Sequence, residues 1–253
     1  MKILILGGTI EARALAEALG PRADFAVTVS LAGRTAEPLP QAAPVRRGGF
    51  GGAEGLALYL GEEKIDVLID ATHPYAAAIS ANAARAAASA GVKLIALRRP
   101  SWRKVAGDDW IEVENVEAAV AALGQAPKRV FLALGRNELR PFAAAPQHFY
   151  LIRSVDPVDP PLAVPHAAYI VARGPFSASE DRELLQRHAI AAIVAKNSGG
   201  EATYGKIEAA RALRLPVIML KRPALPEVAS VATVDEVLAA LGHALTLSTA
   251  RGV

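Results

Sequence analysis

The chain contains no cysteine. This excludes disulfides, thiolate metal centres and a cysteine nucleophile. Histidine is scarce as well: five residues, scattered without metal-ligand spacing, so no metal site is expected. No stretch offers about twenty uninterrupted strongly apolar residues, so no membrane span is expected. A dominant charge is missing too. The net charge of +3, a pI of about 9.3 and the lack of a Lys/Arg-rich tract point to a small anionic ligand rather than nucleic acid. Gly-x-Ser-x-Gly, Walker and zinc-protease signatures are absent, which disfavours hydrolase and NTPase chemistry. A strand opens at residue 3 with no charged and apolar leader before it, so the expected compartment is the cytoplasm.

What is present is apolar: 52% hydrophobic residues over 253 positions, enough for one large core or two modest ones. The most informative segment is Lys2-Ile3-Leu4-Ile5-Leu6-Gly7-Gly8-Thr9-Ile10-Glu11-Ala12-Arg13. Four consecutive large apolar residues read as a strand buried on both faces, central in a parallel sheet. The glycines allow a sharp turn and close ligand approach, and Thr9 is a candidate N-cap for the following helix. Free amides and a positive helix end at that turn suit the pyrophosphate of a dinucleotide. The motif is incomplete, because the full fingerprint places glycine where Thr9 and Ala12 stand.

Strand-like and helix-like runs alternate along the chain, the signature of βαβ units. Strands are expected near 3–6, 25–30, 45–47, 65–70 and 93–97, then near 130–134, 149–153, 168–172, 190–195 and 217–221. The two sets match in number, and their endings echo each other. Leu94-Ile95-Ala96-Leu97-Arg98-Arg99-Pro100 corresponds to Val217-Ile218-Met219-Leu220-Lys221-Arg222-Pro223. A helix from Asn115 to Gly124 corresponds to one from Thr233 to Gly242, each with a polar N-cap and a glycine just past its end, the second with a Thr233/Glu236 capping box. The expected fold is therefore α/β: two doubly wound Rossmann-like parallel-sheet domains related by internal duplication. Residues 1–126 would form the NADPH-binding domain and 127–253 a second domain carrying substrate-binding loops, with a tail from 244.

Ligands sit beyond the carboxyl ends of parallel strands, so those loops are read for chemistry. An NAD-selective enzyme carries an acid about twenty residues after the glycine turn. Ser30 and Arg34 occupy that region instead. A guanidinium with a hydroxyl suits a 2′-phosphate, worth about 1.5–3 kcal/mol, so NADPH is expected. Gly48-Gly49-Phe50-Gly51-Gly52 would let the backbone approach a cofactor, with Phe50 against an aromatic ring face. In Asp70-Ala71-Thr72-His73-Pro74-Tyr75-Ala76, Pro74 suits a first helical turn, and His73 and Tyr75 would sit in the strand-end crevice. In the second half, Ala195-Lys196-Asn197-Ser198-Gly199-Gly200 resembles an anion site. Arg136, Arg153 and Arg173 near other strand ends would line a crevice suited to a polycarboxylate. Ser177 with Glu180 forms a capping box.

These segments are similar to those of the precorrin-6A reductase family of cobalamin biosynthesis, over essentially the whole chain. The resemblance rests on Leu6-Gly7-Gly8-Thr9 with Glu11-Ala12-Arg13, on Asp70 to Ala76, on Lys196-Asn197-Ser198-Gly199-Gly200 followed by Lys206-Ile207-Glu208-Ala209-Ala210, and on the Arg-Pro after each half's last strand. It implies NADPH-dependent reduction of one macrocycle double bond to give precorrin-6B, hydride going to C19 and a proton to C18. It extends to reductases of the cobalt-first route, which act on cobalt-precorrin-6A. It also implies that Arg13, Tyr75 and Lys196 face the substrate between the domains.

Loops and resemblance together give Gly7, Gly8, Thr9, Ser30, Arg34, Phe50, Gly51 and Thr72 for NADPH, and Arg13, His73, Asn197, Ser198, Gly199 and Gly200 for substrate. Tyr75 and Lys196 are the candidate catalytic groups, the proton donor being either of them or a water they hold. The expected ligand is a small tetrapyrrole, with no nucleic-acid or membrane partner, bound by a monomer or small homo-oligomer. A non-catalytic NADPH-sensing module and a sugar-nucleotide enzyme are the competing classes.

Overall fold

The structure is a computed structural model describing residues 1–33 and 37–250, with the side chains of the last helix described as far as 242. The chain runs β1 (Lys2–Leu6), α1 (Ile10–Leu19), β2 (Ala26–Leu31), β3 (Val45–Arg47), α2 (Gly52–Glu62), β4 (Val67–Asp70), α3 (Ala77–Ala90) and β5 (Lys93–Leu97). It continues through β6 (Trp110–Val113), α4 (Val116–Leu123), β7 (Arg129–Ala133), two short 3-10 turns (Arg136–Glu138 and Arg140–Ala144), β8 (Phe149–Ser154), β9 (Ala167–Val171), α5 (Ala178–Arg187), β10 (Ala192–Lys196), α6 (Gly205–Leu213) and β11 (Val217–Leu220). It closes with β12 (Ser230–Val231) and α7 (Val234–Ala250).

Two all-parallel six-stranded sheets result, ordered β12-β5-β4-β1-β2-β3 and β6-β11-β10-β7-β8-β9. Both follow the doubly wound dinucleotide-binding order, with a reversal between β1 and β4 in one and between β7 and β10 in the other. The expected α/β class and paired Rossmann-like sheets are therefore present.

The linear division near residue 126 is corrected. The compact units are Met1–Arg99 with Ala224–Val253, and Pro100–Pro223. Strand β6 pairs with β11 in the second sheet, while β12 pairs with β5 in the first, so each sheet takes its sixth strand from the far end of the other stretch of chain. Of the echoed segments, β5 and β11 are the strands on which β12 and β6 add, and α4 and α7 follow directly after β6 and β12. Two further expectations change. Gly242 lies inside α7 rather than beyond it, and α7 continues to Ala250 where a tail from 244 was expected.

Burial explains why β1 is central. Ile3 and Ile5 pack on one side of the first sheet with Ala12, Leu15 and Leu19 of α1 and Val237 and Leu241 of α7. Leu4 and Leu6 pack on the other with Leu56 and Leu60 of α2 and Ala83 and Ala87 of α3. Alternate side chains thus enter two separate apolar layers, as a doubly covered parallel strand requires. In the second unit Phe131, Leu151, Ile193 and Met219 play that part on one face, against Leu185 of α5 and Ile207 and Ala210 of α6.

The helix ends follow their sequence signals. Asn115 accepts from the Ala118 amide at 2.8 Å, Ser177 and Glu180 cap each other, and Thr233 and Glu236 do likewise. No helix among the described residues is long and apolar enough to cross a membrane.

Candidate active site

In the first unit, neighbouring strands bring four loops to one sheet end. The Gly7 amide donates to the Ser30 carbonyl at 2.9 Å, and the Gly48 amide to the Leu31 carbonyl at 2.9 Å. Thr9 caps α1 by accepting from the Ala12 amide at 3.1 Å, and its hydroxyl donates to the Ala71 carbonyl at 2.7 Å. One threonine therefore ties the turn after β1 to the turn after β4, across the point where strand order reverses. Packing is tight at Gly7: a Cβ there would lie 3.0 Å from Val29 Cγ1 and 3.3 Å from Leu31 Cδ2. Gly8 has φ +107° and open space where a Cβ would be. Close approach and a capped helix start thus coincide at the place suited to pyrophosphate.

Other expected residues of this unit hold the loops in shape. Asp70, buried at the end of β4, accepts from the Thr72 amide at 3.2 Å and the Thr72 hydroxyl at 2.6 Å. His73 accepts the Tyr75 amide at 3.3 Å through Nδ1, and the two rings lie 5.7 Å apart. Pro74 does not open a helix as expected. It sits in a turn closed by the Ala76 amide and the His73 carbonyl, and α3 starts only at Ala77. Arg13 lies on α1, half-exposed and paired with Glu17 at 3.3 Å. Ser30 is buried at the end of β2, and Arg34 lies outside the described residues.

Arg46 was not anticipated. Its guanidinium donates to the Gly48 carbonyl at 2.6 Å and the Gly49 carbonyl at 3.0 Å, and covers one face of Phe50 at 3.7 Å. Phe50 also meets Tyr59 edge-on at 5.1 Å, while Gly51, with φ +81°, precedes α2. The glycine-rich loop is thus pinned rather than mobile. An Arg in a short strand two residues before the glycine-rich loop was the available signal.

In the second unit, the loop after β10 is bound at almost every residue. Lys196 ends the strand, its ammonium 2.6 Å from Glu138 Oε1. The Asn197 side chain grips Trp102 at both ends, accepting from its amide at 2.8 Å and donating to its carbonyl at 3.0 Å. Arg222 donates to the Asn197 carbonyl at 2.8 Å and the Ser198 carbonyl at 2.9 Å. The Trp102 indole N–H donates to the Gly200 carbonyl at 2.7 Å. Gly199 has φ +69°, and a Cβ there would overlap the Pro100 carbonyl oxygen. Asn197, Ser198, Gly199 and Gly200 therefore build a fixed loop behind Lys196.

The row of crevice arginines is corrected. Arg153 is 8% exposed and Asp181 1%, the pair meeting at 2.5 Å, with the guanidinium between Phe131 and Phe176. It belongs to the interior. Arg136 lies 3.9 Å from Asp156, and Arg173 follows β9. Lys206 on α6 is buried, donates to the Thr203 carbonyl and lies 4.8 Å from the Trp102 ring centre. Burial, with help from the Arg153 charge, pushes its amine down to about 7. Among the described residues no cluster of His, Asp and Glu could hold a metal.

The family model described as Precorrin-6x reductase CbiJ/CobK matches residues 2–242. The chain belongs to that family. The precorrin-6A reductase of Sinorhizobium sp is 54% identical, covering 96% of this chain and 93% of its own length. That of Rhodococcus erythropolis is 43% identical, covering 98% of each. The cobalt-precorrin-6A reductase of Priestia megaterium is 29% identical over 94% of this chain and 97% of its own. A solved CobK precorrin-6A reductase superposes with a TM-score of 0.91 at 50% identity, covering 96% of both chains. The protein is accordingly a reductase, and its paired parallel sheets are the family's fold.

Proposed function

We propose that this reductase converts precorrin-6A to precorrin-6B in cobalamin biosynthesis, reducing one ring double bond with NADPH. The observation that carries the reading is family membership over nearly the full chain, joined to a phosphate-suited turn at the first sheet's reversal. Identity of 54% and 43% to precorrin-6A reductases against 29% to a cobalt-precorrin-6A reductase favours the metal-free ring as substrate.

NADPH, when bound, supplies the hydride, delivered to C19. Gly7, Gly8 and Thr9 would hold its pyrophosphate, Ser30 and Arg34 its 2′-phosphate, and Phe50, Gly51 and Thr72 would shape the rest of its bed. Arg13, His73 and the loop of Asn197, Ser198, Gly199 and Gly200 orient the carboxylate-bearing ring. Tyr75 or Lys196, directly or through a held water, delivers a proton to C18, a contribution of about 10²–10⁴-fold. Hydride and proton together would saturate one carbon–carbon double bond of the ring.

The test is anaerobic turnover of precorrin-6A. One NADPH should be consumed per ring, C4-deuterated NADPH should label C19, and solvent deuterium should appear at C18. NADH should serve at least about tenfold less well, with R34A removing the difference. Y75F or K196A should slow turnover while leaving NADPH affinity unchanged. No turnover of the ring, or wild-type rates in both variants, would overturn this reading.

A further inference from the structure

We infer that Glu138 is a positioning residue for the reduction: its carboxylate, seated over Gly135, fixes the Lys196 ammonium where the second sheet reverses its strand order. The inference rests on the reading of Lys196 as a group serving the substrate. It deepens that reading by naming what holds Lys196 in place.

Three observations converge. Glu138 Oε1 and Lys196 Nζ meet at 2.6 Å, with side chains 28% and 14% exposed, so neither end of the pair is a freely solvated surface charge. The other carboxylate oxygen, Oε2, is buried and has no hydrogen-bond partner. A desolvated acceptor left unpaired is rare and calls for a reason; keeping the carboxylate against Lys196 is that reason. Finally, the carboxylate lies close over Gly135. A Cβ on Gly135 would lie 2.5 Å from Glu138 Oε2, although Gly135 has φ −77° and ψ 159°, a conformation any residue adopts. A side chain at Gly135 would fit the backbone but would have to push the flexible end of Glu138 aside.

Placement supports the role. Glu138 closes the 3-10 turn after β7 and Lys196 ends β10, so the two side chains come from the ends of adjacent strand segments at the reversal point, one from the following turn and one from the strand itself. A long, flexible ammonium side chain is otherwise free to explore many rotamers. Bound to a carboxylate, and backed by a loop pinned on Trp102 and Arg222, it is held in one place before substrate arrives.

The test is a double-mutant cycle on the full-length reductase with NADPH and precorrin-6A. E138Q, which keeps shape and removes charge, should lower kcat about tenfold while NADPH affinity stays at the wild-type value. In a K196A background the same change should have no further effect on kcat, because Glu138 acts through Lys196. If E138Q folds poorly by thermal melting, G135A reads the same contact: its methyl displaces the carboxylate in an allowed backbone conformation, and it should lose kcat likewise. A wild-type rate in E138Q or in G135A would overturn the inference. So would a further loss from E138Q in the K196A background, which would show a role separate from Lys196. A wild-type rate in K196A itself would overturn the assignment of Lys196, and the inference with it.

Discussion

At the reversal of the first sheet the chain leaves β1 through Gly7 and Gly8 into a ten-residue helix capped by Thr9. At the reversal of the second it leaves β7 through Gly135 into a three-residue 3-10 turn that ends on Glu138. The first place keeps open space beside Gly8 and a helix start with its positive end; the second puts a protein carboxylate against a protein ammonium. The same sheet order thus yields two kinds of site. The first leaves a capped helix start open, an arrangement that suits an anion, whereas the second holds its own carboxylate against Lys196. The loops behind them differ in the same sense. The first unit ties its turns with Thr9 and Asp70, whereas the 196–200 loop of the second is pinned by Asn197, Trp102 and Arg222.

Breaking each side of this contrast should give opposite kinetic signatures. The largest effect belongs to G199A. A methyl group at φ +69°, overlapping the Pro100 carbonyl and 2.5 Å from Arg222 Nη2, must displace the loop. Destabilisation of about 3 kcal/mol and loss of most turnover are expected, with NADPH binding intact, as denaturant melts and titration would show. T9V comes next, since it removes both the cap on α1 and the bond to Ala71. A cost of about 1–2 kcal/mol should accompany a raised Kd for NADPH, measurable by fluorescence titration. W102F removes the indole N–H to Gly200 and trims the ring that meets Tyr204 and Lys206, while the backbone bonds to Asn197 persist. About 1 kcal/mol and a modest fall in kcat are expected, again without a change in NADPH affinity.

A further effect is a slope with pH, set apart from these single-condition losses. Lys206 titrates near 7 in the folded chain, below its ordinary value of 10.5, because burial disfavours its charge. Below pH 7 both folded and unfolded chains carry the proton, and the penalty is complete. Between about 7 and 10.5 the unfolded chain binds more protons, so stability rises with pH. K206M should lack that rise. Melting temperatures of the two proteins should therefore converge or cross as pH increases from 7 to 10, in favour of the wild type. Parallel curves would contradict the assignment.

How much of this was readable in advance depended on whether neighbours in sequence are neighbours in space. Strand β1 was legible because Ile3, Leu4, Ile5 and Leu6 are all buried, and only a strand covered on both faces permits four such residues in succession. The exchange of sixth strands was not. Strand β6 turns Ile111 and Glu112 outward, and β12 has only two residues, so neither edge strand carries the apolar signal of a central one. The echoed endings were visible in the sequence, but an echo records similarity and not which sheet an ending joins. Arg153 was misread for a related reason. An arginine near a strand end looks alike whether it meets solvent or an aspartate 28 positions away, enclosed by Phe131 and Phe176. Lys196 stood out in sequence, whereas its partner Glu138 lies 58 positions earlier in an unremarkable turn.

The central claim is that the turn after β1 holds NADPH while the second unit supplies a fixed cation. It is tested most directly by a crystal structure of the reductase with NADP⁺. The account predicts the pyrophosphate within hydrogen-bond distance of the backbone amides at Gly8 and Thr9, and the adenosine 2′-phosphate beside Ser30 and Arg34. A nucleotide seated instead at Gly135 and Lys196, with the Gly7–Gly8 turn untouched, would contradict it.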